Sequence, residues 1–322
     1  MRKTDILEAD PFLQSLKDLC AVWGIGPVTA QKLVAQNIKS VADLRTAAAN
    51  GKVKLDEMQQ VGLKYHEDLQ KRIPRAEVEE IGSLILTTAQ RVYYNAPNLI
   101  GQVAGSFRRG AQSCGDVDFL FTSPNSKAVL PLEPLLDELV KMGFIVGFPH
   151  YEPFKGHDDK FGLMDTYSSD NDDDFKHVDE SVLQLVDVEH GKTFMGVARL
   201  FHPGAKARRV DIKSFPADNF AFALLYFTGS GHFNRSMRFY ANKIGFRLSE
   251  SGLYPVIRNS KKEVIHKGFP VHASSEEDIF NLLGLEYRAP HERNCEVSYR
   301  YFESSDEKNT PPQGGTPDSH VT

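Results

Sequence analysis

GSFRRGAQSCGDVDFL, residues 105–120, sets a Gly-Ser turn and two adjacent arginines ahead of two aspartates separated by one valine. Side chains on a strand alternate between faces, so Asp116 and Asp118 project one way while Val117 and Phe119 project the other. Two same-face carboxylates beside apolar neighbours repel, and a divalent cation is the usual remedy. Oxygen-only donors of this kind suit Mg²⁺, with Mn²⁺ as a possible substitute. A third carboxylate of the same setting is Asp211 in RRVDIKSF, residues 208–215, flanked by Val210 and Ile212 with Arg209 two back on its own face. Three aspartates clamping two cations ~3.5–4 Å apart would support in-line displacement at phosphorus; an ion pair of Asp211 with Arg208 or Arg209 is the competing reading. Upstream, Gly105 and Ser106 offer backbone N–H groups and a hydroxyl. Arg108 and Arg109 offer forked donors that match phosphate geometry, and only one of the two can face the same site. The stretch therefore asks for a nucleoside triphosphate and metal.

Outward from this stretch the chain changes character twice. From Pro11 to about Pro74, apolar residues recur three and four apart, as in FLQSLKDLCAVW and AQKLVAQN, which predicts a small all-helical region. At its centre Gly24-Ile25-Gly26 makes a tight turn and Pro27 takes the first position of the next helix. Such a turn can bind phosphate oxygens through its N–H groups or be a plain helix-turn-helix corner. From about Ala76 one more helix is followed by LIGQVAGS, DVDFLFTS, KTFMGVARLF and ARRVDIKSF, which read as strands, with PLEPLLDELVKMGF as an amphipathic helix between the second and third. From Asn219 two helices follow, then the strand-like pieces GLYPVIR and KKEVIHKG, and a helix at SSEEDIFNLLGL whose start Ser274 and Ser275 would cap with Glu277 and Asp278. The fold expected is α+β: a mixed sheet packed with helices over 76–217, preceded by a helical part over 1–75 and followed by a small α+β part over 218–302.

Composition sets the outer bounds. With 322 residues, 41% of them hydrophobic, the chain can bury one large core or several modest ones. The cysteines Cys20, Cys114 and Cys295 are odd in number and far apart, indicating neither a disulfide framework nor a zinc cluster. No apolar run approaches the ~20 residues of a membrane helix, and MRKTDILEADPF lacks a secretory core, so an intracellular protein without membrane partners is expected. The net charge of −5 argues against nucleic acid only superficially. Residues 151–180 hold ten acidic residues against three lysines, and 303–322 hold four against one, which leaves the remainder of the chain at +5. That balance is compatible with a phosphate-backbone partner. The 151–180 stretch reads as a solvated loop rather than a metal site, and the Pro/Gly-rich 303–322 stretch as a disordered tail.

Three segments in order, GSFRRGAQSCGDVDFL, RRVDI and LLYFTGSGHFNRSMR, resemble the palm and nucleotide-selecting region of the family X DNA polymerases, the lambda type most and the beta type next. WGIGPVTAQKLVAQNIKSVADLR resembles the family's helix-hairpin-helix, IPRAEVEE the segment after it, and SSEEDIFNLLGLEYRAPHER its closing segment, so the resemblance runs from about Arg2 to Arg293. It implies that Asp116, Asp118 and Asp211 are catalytic metal ligands and that Asp211 accepts the proton of the primer 3′-hydroxyl. It implies that Arg75, Ser106, Arg109 and Gly115 hold the deoxynucleoside triphosphate, and that Arg209 orients Asp211. Tyr226, Phe227 and Gly229 would pack on the sugar and disfavour a 2′-hydroxyl. Asn234 and Arg238, four apart on one helix face, would contact the nascent pair from the minor groove. Tyr226 and Phe227 as core aromatics, and Asn234 as a surface residue, are the alternatives.

The implied activity is gap-filling DNA synthesis in repair, in the nucleus, on gapped or primer-template DNA, with repair proteins as further partners. Template-independent transfer is the alternative within the superfamily, and those enzymes typically show Gly-Trp where this chain has Tyr226-Phe227. A non-catalytic DNA-binding protein is the third. No segment matches the lyase or BRCT domains that family members carry ahead of the hairpin, so lyase activity is not expected.

Overall fold

The computed structural model describes residues 10–96, 98–124, 129–147, 192–261 and 263–294. The acidic stretch 151–180 and the tail 303–322 lie outside them.

Helix starts in the N-terminal region follow from short polar residues that accept the first free backbone N–H groups. Asp10 caps α1 (Pro11–Cys20) by accepting from Phe12 N at 2.8 Å. After Gly24, at φ +89°, α2 (Pro27–Ala35) begins on its proline as expected. Ser40 caps α3 (Val41–Ala49), and Asp56 with Gln59 forms a capping box on α4 (Glu57–Lys64), followed by the single turn α5 (His66–Leu69). Gln59 Nε2 also donates to Gly24 O at 3.2 Å, pinning the Gly24–Gly26 turn against α4. Leu19, Ile25, Ala30, Leu33 and Leu44 fill the core these helices enclose.

A two-residue strand β1 (Ile73–Pro74) leads into the long helix α6 (Arg75–Val92) and pairs antiparallel with β3 (Ser113–Cys114). Between them run β2 (Ile100–Val103) and a single helical turn α7 (Gly105–Arg108). The Gly105-Ser106 stretch, read as a turn, is thus the start of α7. Then come β4 (Val117–Thr122), α8 (Glu133–Lys141), β5 (Ile145–Gly147), β6 (Lys192–Ala198) and β7 (Arg208–Ser214). They form a mixed five-stranded sheet in the order β2-β4-β7-β6-β5, in which only β4 and β7 run parallel.

The alternation foreseen for β4 and β7 gives the sheet two unlike faces. Val117, Phe119 and Phe121 join Val210 and Ile212 in the main core with Ile81, Ile85, Leu135 and Leu139 of α6 and α8. On the opposite face Leu120 and Phe215 pack against Ala223 of α9 (Ala217–Thr228). The same face carries the charged residues Asp118 of β4 and Asp211 and Lys213 of β7, and α9 reaches them through Phe227, whose ring lies 4.6 Å from the Lys213 ammonium. The core face is the better buried because its residues are all apolar.

The C-terminal part consists of α10 (Gly231–Lys243), a three-stranded antiparallel sheet β8 (Phe246–Ser249), β9 (Gly252–Arg258), β10 (Val264–Lys267) in the order β10-β9-β8, and α11 (Glu276–Leu282). Strand β8 is absent from the sequence reading: four residues after a helix give no period to read, and pairing with β9 defines it. At α11 the cap is Ser275 with Asp278, whose carboxylate accepts from the backbone N–H of Ser274 and Ser275. Glu277 takes no part. The helical region is tied to the sheet through Arg208, whose buried guanidinium donates to both oxygens of Glu77 at 2.6 and 2.7 Å and to Lys71 O at 3.0 Å. No helix among the described residues is long and apolar enough to cross a membrane.

Candidate active site

The parallel register of β4 and β7 decides the site. Asp118 stands opposite Asp211 and Val117 opposite Val210. Directly opposite side chains on neighbouring strands are within reach of each other, so two carboxylates from positions 93 residues apart meet at the charged end of one face. Lys213, two residues beyond Asp211 and so on the same face, puts its ammonium between them. Its Nζ lies 2.8 Å from Asp118 Oδ1 and 3.2 Å from Asp211 Oδ2. The sequence reading missed Lys213. The signal was present: a lysine two residues beyond Asp211, alternating with Val210 and Ile212, shares a face with that carboxylate and must find a partner if buried.

The same register corrects the expectation for Arg209. One step back from the Val117–Val210 pair, Arg209 comes level with Asp116, and their side chains form the ion pair Arg209–Asp116. Arg209 therefore holds Asp116, and Lys213 holds Asp211. Two residues along one strand are ~6.6 Å apart, whereas the cross-strand neighbour is closer. Among the described residues, no three acidic, histidine or cysteine side chains surround a point that could hold an ion, because Asp116 is drawn to Arg209 and away from the Asp118–Asp211 pair.

The electrostatics favour added positive charge. Burial pushes the Asp118 carboxyl above the usual range, and the neighbouring Asp211 adds to this against the pull of Lys213. Burial works to lower Lys213, but the charges of Asp118 and Asp211 more than reverse it and hold the ammonium above its ordinary value. The two shifts differ in their leading cause, burial for Asp118 and the two carboxylates for Lys213, but both register a cluster in which two carboxylates share one ammonium. Asp211 Oδ1 is buried and has no hydrogen-bond partner among the described residues. An orphaned carboxylate oxygen in a cation-poor cluster is what a divalent ion's donor set would leave when the ion is not there. Asp118 and Asp211 thus fit such an ion, and Asp116 would fit once turned from Arg209.

Gly105 lies against this cluster. Its φ is +56°, and a Cβ there would stand 2.9 Å from Asp118 Oδ2; only glycine accommodates both the backbone angle and the carboxylate. From Gly105 the turn α7 sends both of its arginines to the C-terminal part. Arg108 donates to Thr228 Oγ1 at 2.8 Å and to both oxygens of Glu276 at 3.0 and 2.7 Å. Arg109 donates to Thr228 O at 2.6 Å and to Asn294 Oδ1 at 2.9 Å. Both arginines reach the C-terminal part and share Thr228, Arg108 at its hydroxyl and Arg109 at its carbonyl. Ser106 is half-buried in α7 and Gly115 is exposed just before Asp116. Arg75 donates to the carbonyls of Phe107 and Ala111 at 2.7 and 3.2 Å, with its guanidinium 3.9 Å from the centre of the Phe107 ring.

The remaining residues gather at the end of α9. Phe227 packs on Phe215 at 5.9 Å between ring centres and lies 4.6 Å from Lys213 Nζ, so it joins the sheet to the charged cluster. Gly229, at φ +64°, ends α9 beside Arg109. Asn234 Nδ2 donates to Tyr226 O at 2.6 Å, and Tyr226, Asn234 and Arg238 line one small cleft with Leu225, Met237 and Leu248. Asn234 and Arg238 do share one helix face. Tyr226 and Phe227 are both half-buried and pack edge to face at 5.1 Å between ring centres.

Three family models match the chain in order: the fingers domain of DNA polymerase lambda over residues 17–70, the DNA polymerase beta palm over 72–217 and the DNA polymerase beta thumb over 223–294. Among curated proteins, the chain is similar to the DNA polymerase lambda of Rattus norvegicus, 37% identical over 91% of this chain and 44% of that protein. It is also similar to the DNA polymerase lambda of Arabidopsis thaliana, 29% identical over 91% of this chain and 49% of that protein. A third is the DNA nucleotidylexotransferase of Gallus gallus, 28% identical over 91% of this chain and 54% of that protein. The chain spans about half the length of the curated relatives it matches.

Proposed function

The chain belongs to the family X DNA polymerases, and from that premise we propose that it adds deoxynucleotides to a primer 3′-hydroxyl in short DNA gaps, as a nuclear repair enzyme. The observation that carries this reading is the cross-strand pair Asp118–Asp211 with its buried, partnerless oxygen. In this reading residues 1–75 grip duplex DNA, 76–217 carry the chemistry and 218–302 select the nucleotide.

Divalent cations, Mg²⁺ by the oxygen donor set or Mn²⁺ in its place, would be held by Asp116, Asp118 and Asp211, and would supply charge neutralisation of the triphosphate and a more acidic primer hydroxyl. The chain's own residues do the rest. Asp211, whose Oδ1 has no hydrogen-bond partner among the described residues, takes the proton from the 3′-hydroxyl. Lys213 and Arg209 hold the three carboxylates in place until substrate charge arrives. Arg75, Ser106, Arg109 and the Gly115 backbone hold the triphosphate oxygens as donors. Tyr226, Phe227 and Gly229 leave no room for a ribose 2′-hydroxyl. Asn234 and Arg238 read the minor-groove edge of the new pair, where acceptors occur on all four bases. The turn at Gly24–Gly26 offers N–H groups to the DNA backbone without reading sequence.

Mg²⁺-dependent extension on a one-nucleotide gap tests this, with each template base and with matched deoxy- and ribonucleotides. The expected result is templated insertion with discrimination against ribose. Insertion that ignores the template base would assign template-independent transfer, and DNA binding with no product would remove the catalytic reading.

A further inference from the structure

Arg109 is held by two groups from distant parts of the chain. It donates from Nη1 to Thr228 O at 2.6 Å and from Nε to Asn294 Oδ1 at 2.9 Å. Thr228 is the last residue of α9, and the final carbonyls of a helix lack internal partners and carry partial negative charge, so a cation is favoured there. One hydrogen bond leaves a planar group free to swing about it. The second, from a different nitrogen, fixes the plane, and Asn294 supplies it from 185 positions away.

The surroundings of Asn294 fix its side chain in turn. It follows the 3-10 turn Pro290–Arg293, whose buried Arg293 pairs with Glu276 at 2.6 Å. The Arg293 carbonyl accepts from Ser230 Oγ at 2.8 Å and from Ser230 N at 3.4 Å, which staples the segment to the start of α10. Asn294 Nδ2 donates to His291 O at 3.3 Å, and with its nitrogen so used its oxygen is turned to Arg109. Asn294 is exposed and fills no core, so what its side chain fixes is the guanidinium. That guanidinium stands near the carboxylate cluster: after burial, Lys213 and Asp211, the charge of Arg109 also acts on Asp118.

We propose that Asn294 is a positioning residue for nucleotide binding: it locks the plane of the Arg109 guanidinium, so that the fork meets the triphosphate already oriented. The inference rests on the nucleotidyl-transfer reading above, in which Arg109 holds triphosphate oxygens. A planar donor fixed beforehand loses less freedom on binding than one that must be ordered by its ligand. Nucleotide affinity thereby depends on the closing segment, which touches neither base nor sugar in this reading.

Single-gap insertion kinetics in the full chain carrying Asn294→Ala or Asn294→Asp is the test, together with Arg109→Ala and the double variant. Loss of one hydrogen bond to a charged group corresponds to roughly five- to ten-fold in affinity. Asn294→Ala is therefore expected to raise the nucleotide KM by about five-fold with kcat within about two-fold of wild type. Asn294→Asp keeps an acceptor oxygen in place and should lie nearer wild type than Asn294→Ala. In the Arg109→Ala background, Asn294→Ala should add nothing to KM, because a residue acting through another has no effect once that other is gone. Tm should stay at the wild-type value in both Asn294 variants.

A KM for Asn294→Ala within about two-fold of wild type would overturn the inference. So would additive effects in the double variant, which would separate Asn294 from Arg109. Equal losses in both Asn294 variants with a lowered Tm would make Asn294 a structural clip on the 3-10 turn. If the wild-type chain extends no primer, the nucleotidyl-transfer reading has failed and this one with it; an active wild type with an unaltered Asn294→Ala defeats this inference alone.

Discussion

Two clusters of buried charge flank the turn α7, and they are wired in opposite senses. On one side Asp118 and Asp211 share the single ammonium of Lys213. On the other, Glu276 is shared by two guanidiniums, Arg108 at 2.7 Å and Arg293 at 2.6 Å. Burial acts to raise both Asp118 and Glu276. Hydrogen bonds from Arg108 and Arg293 overcome it and hold Glu276 below its ordinary value, whereas for Asp118 burial, with the repulsion of Asp211 added, outweighs the pull of the one ammonium and leaves it above its own. A carboxylate with every oxygen paired locks a fold. One left short of positive charge keeps a place for something still to bind. Arg293 also lies 5.5 to 5.7 Å from the centres of the Phe233, Phe280 and Tyr287 rings, so the Glu276 cluster is sealed by aromatics, whereas in the Asp118 cluster the ring of Phe227 lies over the ammonium and Asp211 Oδ1 has no partner among the described residues.

The contrast breaks or sharpens on four measurements. The largest effect is expected for Asp211→Ala, which should lower single-turnover insertion by about three orders of magnitude or more, equivalent to about 4 kcal/mol, with affinity for gapped DNA unchanged. Retained turnover would remove Asp211 from the chemistry and erase the distinction between the clusters. Next, Glu276→Ala strands two buried guanidiniums and should cost about 3 kcal/mol of folding stability, read by urea denaturation.

The pH dependence of that cost has a definite sign. Because the folded-state pKa of Glu276 lies below its ordinary 4.5, its contribution is complete above pH 4.5 and is lost as pH falls through the folded value. Wild type and Glu276→Ala should therefore converge in stability as the solution is acidified below that point; a constant gap would place the stabilisation elsewhere.

Third, Lys213→Met should lower stability by about 2 kcal/mol in EDTA, and added Mg²⁺ should restore more of it than in wild type, since a cation can replace the lost ammonium. Glu276→Ala should show no such rescue. Equal responses to Mg²⁺ would mean that the two clusters do not differ in kind. Smallest in stability is Gly105→Ala, expected at about 1–2 kcal/mol from its left-handed backbone. It should also depress insertion, because the new methyl group would stand 2.9 Å from Asp118 Oδ2; insertion at the wild-type rate would show that the carboxylate yields without consequence.

Much of this protein was legible along the chain. Alternation alone put Asp118 opposite in face to Val117 and Phe119, and put Asp211 opposite to Val210 and Ile212. The helix starts at Pro27 and at Ser275 followed from proline and from a serine three residues ahead of Asp278. These features depend on neighbours a few residues away, which is the range over which backbone geometry acts. What could not be read was short or remote. Strand β8 and the ribbon of β1 with β3 are too short to carry a period, and they exist because a partner strand satisfies their backbone groups. The parallel register that sets Asp118 against Asp211 also sets Asp116 against Arg209, which overturned the expected pairing of Arg209 with Asp211.

The sequence by itself determined which carboxylates share a face and which residue types could grip phosphate. The tertiary structure alone decided which charge each one meets: Lys213 between Asp118 and Asp211, and Arg108 on Glu276, 168 positions away. The physical reason is that a charge buried in a low-dielectric interior must be paired by whatever the packing brings within about 4 Å, and strand register and helix docking, rather than local sequence, set that short list.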